Sequence, residues 1–124
     1  MKFIFVVVAA LALSSAAVAQ HAHGTQKGPH GGVMEDVAGV HAELVTSGNT
    51  VTLHIFDEGG KPIATKGFTA SALVVKGSDR ETLSLAPSGE NALKGDAKKA
   101  VAGATVSVTL KTEAGKSGQV RFKP

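Results

Sequence analysis

From Val33 onward, apolar and polar residues alternate with a period of two rather than 3.6. The runs are Val40-His41-Ala42-Glu43-Leu44-Val45, Val51-Thr52-Leu53-His54-Ile55-Phe56, Ala70-Ser71-Ala72-Leu73-Val74-Val75, Thr82-Leu83-Ser84-Leu85, Thr105-Val106-Ser107-Val108-Thr109-Leu110 and Gln119-Val120-Arg121-Phe122. Successive side chains of a strand point to opposite faces, so such runs fit strands buried on one side. Turn-forming clusters separate them: Ser47-Gly48-Asn49, Glu58-Gly59-Gly60-Lys61-Pro62, Lys76-Gly77-Ser78-Asp79, Ala86-Pro87-Ser88-Gly89 and Glu113-Ala114-Gly115-Lys116. The pattern predicts an all-β domain over residues 33–124, an immunoglobulin-like Greek-key β-sandwich of about seven strands. Asn91 to Gly103 is the one stretch with some helical character; Gly95 and Gly103 bracket it and it has no long apolar stripe, so a loop with at most a short helix is expected. Neither an internal repeat nor a second domain is visible.

The alternation also predicts register. A two-residue turn at Gly48-Asn49 pairs Ser47 with Thr50, so that Ala42 faces Ile55, Leu44 faces Leu53 and Thr46 faces Val51. A slip of one residue would turn His54 and Thr52 into that apolar face. In the favoured register Glu43 lies opposite His54, and His41 opposite Phe56. A similar turn at Ala38-Gly39 places Asp36 beside His41 and Met34 beside Glu43, while also turning Glu35 toward the apolar side.

The N-terminal segment has a different character. Lys2, the apolar run Phe3 to Leu13 and the small-residue motif Ala17-Val18-Ala19 predict a cleaved signal peptide over residues 1–19. The apolar run is shorter than the about 20 residues a membrane-spanning helix needs. Residues 20–32 read as a flexible His/Gly-rich arm. The expectation is a periplasmic or secreted protein with no membrane span after signal cleavage. Losing Lys2 lowers the formal charge from +3 to +2, a balance too small and too evenly spread to suggest nucleic acid. There is no Trp or Tyr, so stacking platforms for bases or sugars are nearly absent. There is no Cys either: the fold closes without disulfides, and a metal would find only nitrogen, oxygen and thioether donors.

All five histidines, His21, His23, His30, His41 and His54, lie in the first half of the chain. Imidazole is the commonest protein ligand for late transition metals. In Gly28-Pro29-His30-Gly31-Gly32 a histidine stands between a residue of fixed φ and two unrestricted glycines; the segment is either a plain turn or a device for aiming the ring. Met34 is either ordinary packing or a thioether suited to Cu(I), and the acidic pairs Glu35-Asp36 and Asp57-Glu58 read first as solvated surface. His21 and His23 alternate in the arm and would contribute as auxiliary ligands. Catalysis finds no support: there is no cysteine nucleophile, no Gly-x-Ser-x-Gly elbow, no His-Glu-x-x-His pair and no phosphate-binding glycine loop.

The ordered motifs, Pro29-His30-Gly31-Gly32, then His41-x-Glu43-Leu44-Val45, then Asp57-x-x-Gly60-Lys61-Pro62-Ile63, then Gly103-Ala104-x-Val106-x-Val108 and Gln119-Val120-Arg121-Phe122, resemble a small secreted domain of Gram-negative bacteria. That domain also occurs near the N-termini of periplasmic adaptor proteins of heavy-metal efflux pumps. The resemblance implies a periplasmic β-sandwich concerned with divalent or copper-group cations, with His30, His41 and Glu43 at its recurring positions; His54 departs from it, where an aromatic residue often stands. No adaptor hairpin or barrel is read after the domain, so the chain is not expected to bridge a pump itself. The expected function is a metal-binding accessory protein that buffers, carries or senses Cu, Zn, Ni or Co, linked to a metal-efflux component. His30, His41, Glu43, His54, Met34 and Asp36 are the candidate site. The alternative is an immunoglobulin-like envelope interaction module with incidental surface histidines.

Overall fold

The computed structural model describes residues 26–123. The expected signal peptide lies outside the described residues, as do His21 and His23 of the arm. Eight strands follow in order: β1 (Val33–Val37), β2 (Val40–Ser47), β3 (Thr50–Phe56), β4 (Thr69–Lys76), β5 (Asp79–Ser88), β6 (Ala92–Asp96), β7 (Thr105–Lys111) and β8 (Ser117–Phe122). They form one antiparallel sheet in the order β1-β2-β3-β6-β5-β4-β7-β8. Its two edges, β1 and β8, approach each other, so the sheet is nearly closed around a single core. The all-β expectation holds, with eight strands rather than about seven.

The first three strands follow the predicted register throughout. Ser47 pairs with Thr50, Leu44 with Leu53, Ala42 with Ile55 and Glu43 with His54. Gly48 has φ 58°, the positive value required at the first central position of a type II′ hairpin turn. In the β1–β2 turn both central residues are left-handed, Ala38 at φ 51° and Gly39 at 81°. Asp36 thus pairs with His41 and Met34 with Glu43, and Glu35 is half-buried opposite Ala42.

The strand without a sequence signature is β6. Ala92 and Leu93 are consecutive and both buried, which breaks the alternation. The segment is held between β3 and β5, through Leu53↔Leu93 on one side and Pro87↔Leu93 on the other. Its partners are 40 residues earlier and a hairpin away, so tertiary pairing rather than local propensity makes it a strand. β5 runs on both sides of a bend: its first part pairs with β4 up to Leu85, and Ala86 to Ser88 pair with β6.

Inward-facing Ala42, Val51, Leu53, Ile55, Ala72, Leu93, Val106, Val108, Leu110 and Phe122 are almost fully buried. Residues 97–104 cross one end of this core, placing Ala97, Val101 and Ala104 into it. That crossing is tied to the β2–β3 turn: Asn49 Nδ2 donates to the Ala97 carbonyl at 2.6 Å, the Ala97 N–H to the Asn49 carbonyl at 2.7 Å and the Val101 N–H to the Gly48 carbonyl at 3.0 Å. No helix occurs among the described residues.

Candidate functional site

The outward faces of β1, β2 and β3 carry two adjacent rows of side chains. One row is Met34, Glu43 and His54; the next is Asp36, His41 and Phe56. Opposed side chains in such rows have Cβ atoms about 5 Å apart. An outward-facing glutamate is normally solvated, yet Glu43 has no exposed surface. The loop Gly28–Gly32 covers it.

That loop is the mouth of a small hairpin. Lys27 bridges to Val33, the Met34 N–H donates to the Gln26 carbonyl at 2.9 Å, and the Gly28 N–H donates to the Gly32 carbonyl at 2.8 Å. Beneath it the Glu43 carboxylate accepts three hydrogen bonds. Oε2 takes the backbone N–H groups of His30 and Gly32, each at 2.8 Å, and Oε1 takes His30 Nδ1 at 2.8 Å. Both oxygens are therefore engaged within the protein, which satisfies a buried carboxylate that would otherwise be very costly. The glycines of the loop answer to contact as well as to turning. A Cβ on Gly28 would lie 2.3 Å from Glu43 Cδ, and one on Gly32 would lie 2.2 Å from the Leu44 carbonyl oxygen. Gly31, at φ +79°, faces open space.

Glu43 thereby sets the state of His30. An ionised carboxylate only accepts, so the hydrogen sits on Nδ1 and the lone pair is left on Nε2. The His30 side chain is 46% exposed. Its ring lies flat on that of His54, centroids 3.8 Å apart and planes within 5°, with Phe56 tilted beside it at 6.3 Å. Nδ1 of His54 is buried and has no hydrogen-bond partner. Burial pulls the His54 pKa below its ordinary 6.5; the neighbouring His30 pulls the same way, and Glu43 opposes. His54 is thus kept neutral under the His30 ring.

His41 repeats the arrangement one row along. Its Nδ1 meets Asp36 Oδ1, again leaving Nε2 as the donor, and its side chain is 32% exposed. It opens onto a shallow depression lined by Asp36, Gly39, Val40 and Glu58. Asp57, by contrast, is occupied with its own turn: its Oδ1 accepts the Lys61 N–H at 2.8 Å, and its carbonyl accepts from Gly60.

Charge is not evenly spread, contrary to the sequence-based expectation. Between Gly28 and Gly60 there is no Lys or Arg, while Glu35, Asp36, Glu43, Asp57 and Glu58 give five negative charges. From Lys61 to Lys123 eleven Lys and Arg outnumber five Asp and Glu, a net of +6. The summed charge of the chain conceals this division, which becomes meaningful once β1 to β3 are seen to lie together. The three histidines among the described residues all sit on the acidic part.

Five of the six candidate residues meet in two contact groups, His30 with Glu43 and His54, and His41 with Asp36; the sixth, Met34, lies opposite Glu43 in the register of β1 and β2. Among the described residues no group of three or more His, Cys, Asp or Glu side chains converges so that it could hold a metal ion. What fits metal chemistry is the pair of donor nitrogens, His30 Nε2 and His41 Nε2, each on a ring oriented by a carboxylate. The close contacts of Gly28 and Gly32 with β2, and the place of Phe56 beside the His30 ring, were not foreseen from sequence, where the glycines flanking His30 signalled only backbone freedom. Comparison of the chain with protein-family models, with curated proteins and with solved structures gives no match.

Proposed function

We propose that this is a periplasmic accessory protein that binds a transition-metal ion as cargo through His30 and His41. The observation that carries the reading is the repeated pairing of imidazole Nδ1 with a carboxylate, Glu43 for His30 and Asp36 for His41. Metal-ligating histidines characteristically donate their other ring N–H to such a group, which fixes the tautomer and raises the basicity of the donor nitrogen. The surroundings of His41 support it, because Asp36 and Glu58 line the depression onto which it opens and attract cations. In this reading Glu43 and Asp36 orient, His54 packs under His30, and Met34 stands at the rim. Nitrogen donors without thiolate favour Cu(II), Zn(II), Ni(II) or Co(II); a contribution from Met34 would extend the range to Cu(I). His21 and His23 act as auxiliary ligands, and a metal-efflux component is the proposed recipient. The order β3-β6-β5-β4, with residues 57–68 as the long return, supports a Greek-key sandwich of immunoglobulin-like kind.

Equilibrium dialysis of the exported protein against each metal tests the function. His30→Ala and His41→Ala should each lower affinity at least tenfold, and His21→Ala with His23→Ala should lower it less. One specific observation favours a second reading, an envelope interaction module: no three donors converge among the described residues. That module would take up no metal stoichiometrically.

A further inference from the structure

We infer that the metal site is completed by a second copy of this chain, so that the ion bridges a dimer across the outward faces of β1, β2 and β3. The inference rests on the proposed metal binding and names the partner of that same site. Its first support is the donor count. Each chain offers two oriented nitrogens on this face, His30 Nε2 and His41 Nε2. The carboxylates nearest to them are already bonded to the imidazoles, with Glu43 engaged at both oxygens. Zinc and its neighbours take four or more ligands, and sites with nitrogen donors are closed by tetrahedral or planar sets. Two copies supply four such nitrogens.

The second support is charge. On this face Asp36 stands against His41, Glu58 lines the same depression, and Glu43 lies beneath His30. Two such faces repel each other, and a divalent ion between them removes the repulsion as it gains ligands. The same surface that keeps metal-free copies apart thus makes association conditional on the ion. The third support is shape. The His30 ring lies flat over His54 and half exposed, and His41 is partly exposed one row away. A two-fold arrangement places the same patch on both copies, and each donor pair meets its own equivalent.

Sedimentation velocity on the exported protein at pH 7.5, with and without Zn(II) and then Cu(II), tests this, with dialysis giving the bound metal in parallel. The metal-free protein should sediment as a monomer. Added metal should convert it to a dimer, and EDTA should restore the monomer. His41→Ala should lose the dimer while its circular dichroism stays that of the parent, and His21→Ala with His23→Ala should keep it. Stoichiometric metal on a protein that remains monomeric would overturn the shared site and leave metal binding intact. A dimer that forms without metal and survives His41→Ala would overturn it as well. No bound metal at all would remove the proposed function, and this inference with it.

Discussion

Gly28 and Gly31 stand three residues apart in one loop, and each resists a methyl group for a different reason. At Gly31 there is open space around the added carbon, and only the left-handed backbone is strained; alanine there should cost about 1–2 kcal/mol. At Gly28 the carbon would overlap the Glu43 carboxylate at 2.3 Å. The loop would have to lift and exchange its three hydrogen bonds to Glu43 for water; at about 1.5–3 kcal/mol for a bond to a charged group, the loss should exceed that at Gly31. Urea denaturation of Gly28→Ala and Gly31→Ala measures both; equal costs would mean that the loop does not lean on Glu43. His54 supplies a second test at this scale. Folding lowers its pKa, so the unfolded chain takes up a proton more readily. The contribution of a neutral His54 is therefore present in full above about pH 6.5 and is lost as pH falls through the lower folded value. The urea midpoint of the parent should fall between pH 7 and pH 5, and that of His54→Phe should fall less over the same interval. Much of this was legible in the sequence as residue types, since His30, His41 and Glu43 stand out by composition and spacing. Their division of labour was not, because the burial of Glu43 depends on a loop that closes over it from 11 to 15 residues away.

Among the elements, the β1-β2-β3 meander was readable down to individual pairs. Its turns are short, β3 alternates along most of its length, and a slipped register would bury His54 and Thr52, although Glu35 breaks the pattern in β1. β6 was not readable, since Ala92-Leu93-Lys94-Gly95-Asp96 has neither alternation nor β-branched residues. Gly95 looks like a strand breaker there, and propensity alone says that valine should improve the strand. The packing says the reverse. A Cβ on Gly95 would lie 2.8 Å from both Leu85 Cδ2 and the Ser84 carbonyl oxygen, at the place where β5 bends from β4 toward β6. Gly95→Val should accordingly destabilise by about 1–3 kcal/mol in thermal or chemical unfolding. A stabilised variant would show that β6 does not sit under that bend.

At the scale of the whole molecule, the sheet returns to its own beginning. β8 lies beside β1, and an added Cβ on Gly118 would come within 2.8 Å of the backbone nitrogen of Ala38, just after β1. Val33 at the start of β1 and Lys123 just after β8 line the same small cavity. The exposed two-residue turn Gly77-Ser78, meanwhile, does nothing but reverse direction between Lys76 and Asp79. The order in which the strands are translated is then separable from the order in which they pack. A circular permutant that opens the chain between Gly77 and Ser78, and joins Lys123 to Gln26 through a short flexible linker, should fold to the same circular dichroism spectrum with cooperative unfolding. Failure to fold would mean that the near-closure of β1 and β8 depends on where synthesis starts. Success would mean that the His30 loop, now in the middle of a continuous chain, is held in place by Glu43 and its neighbours alone.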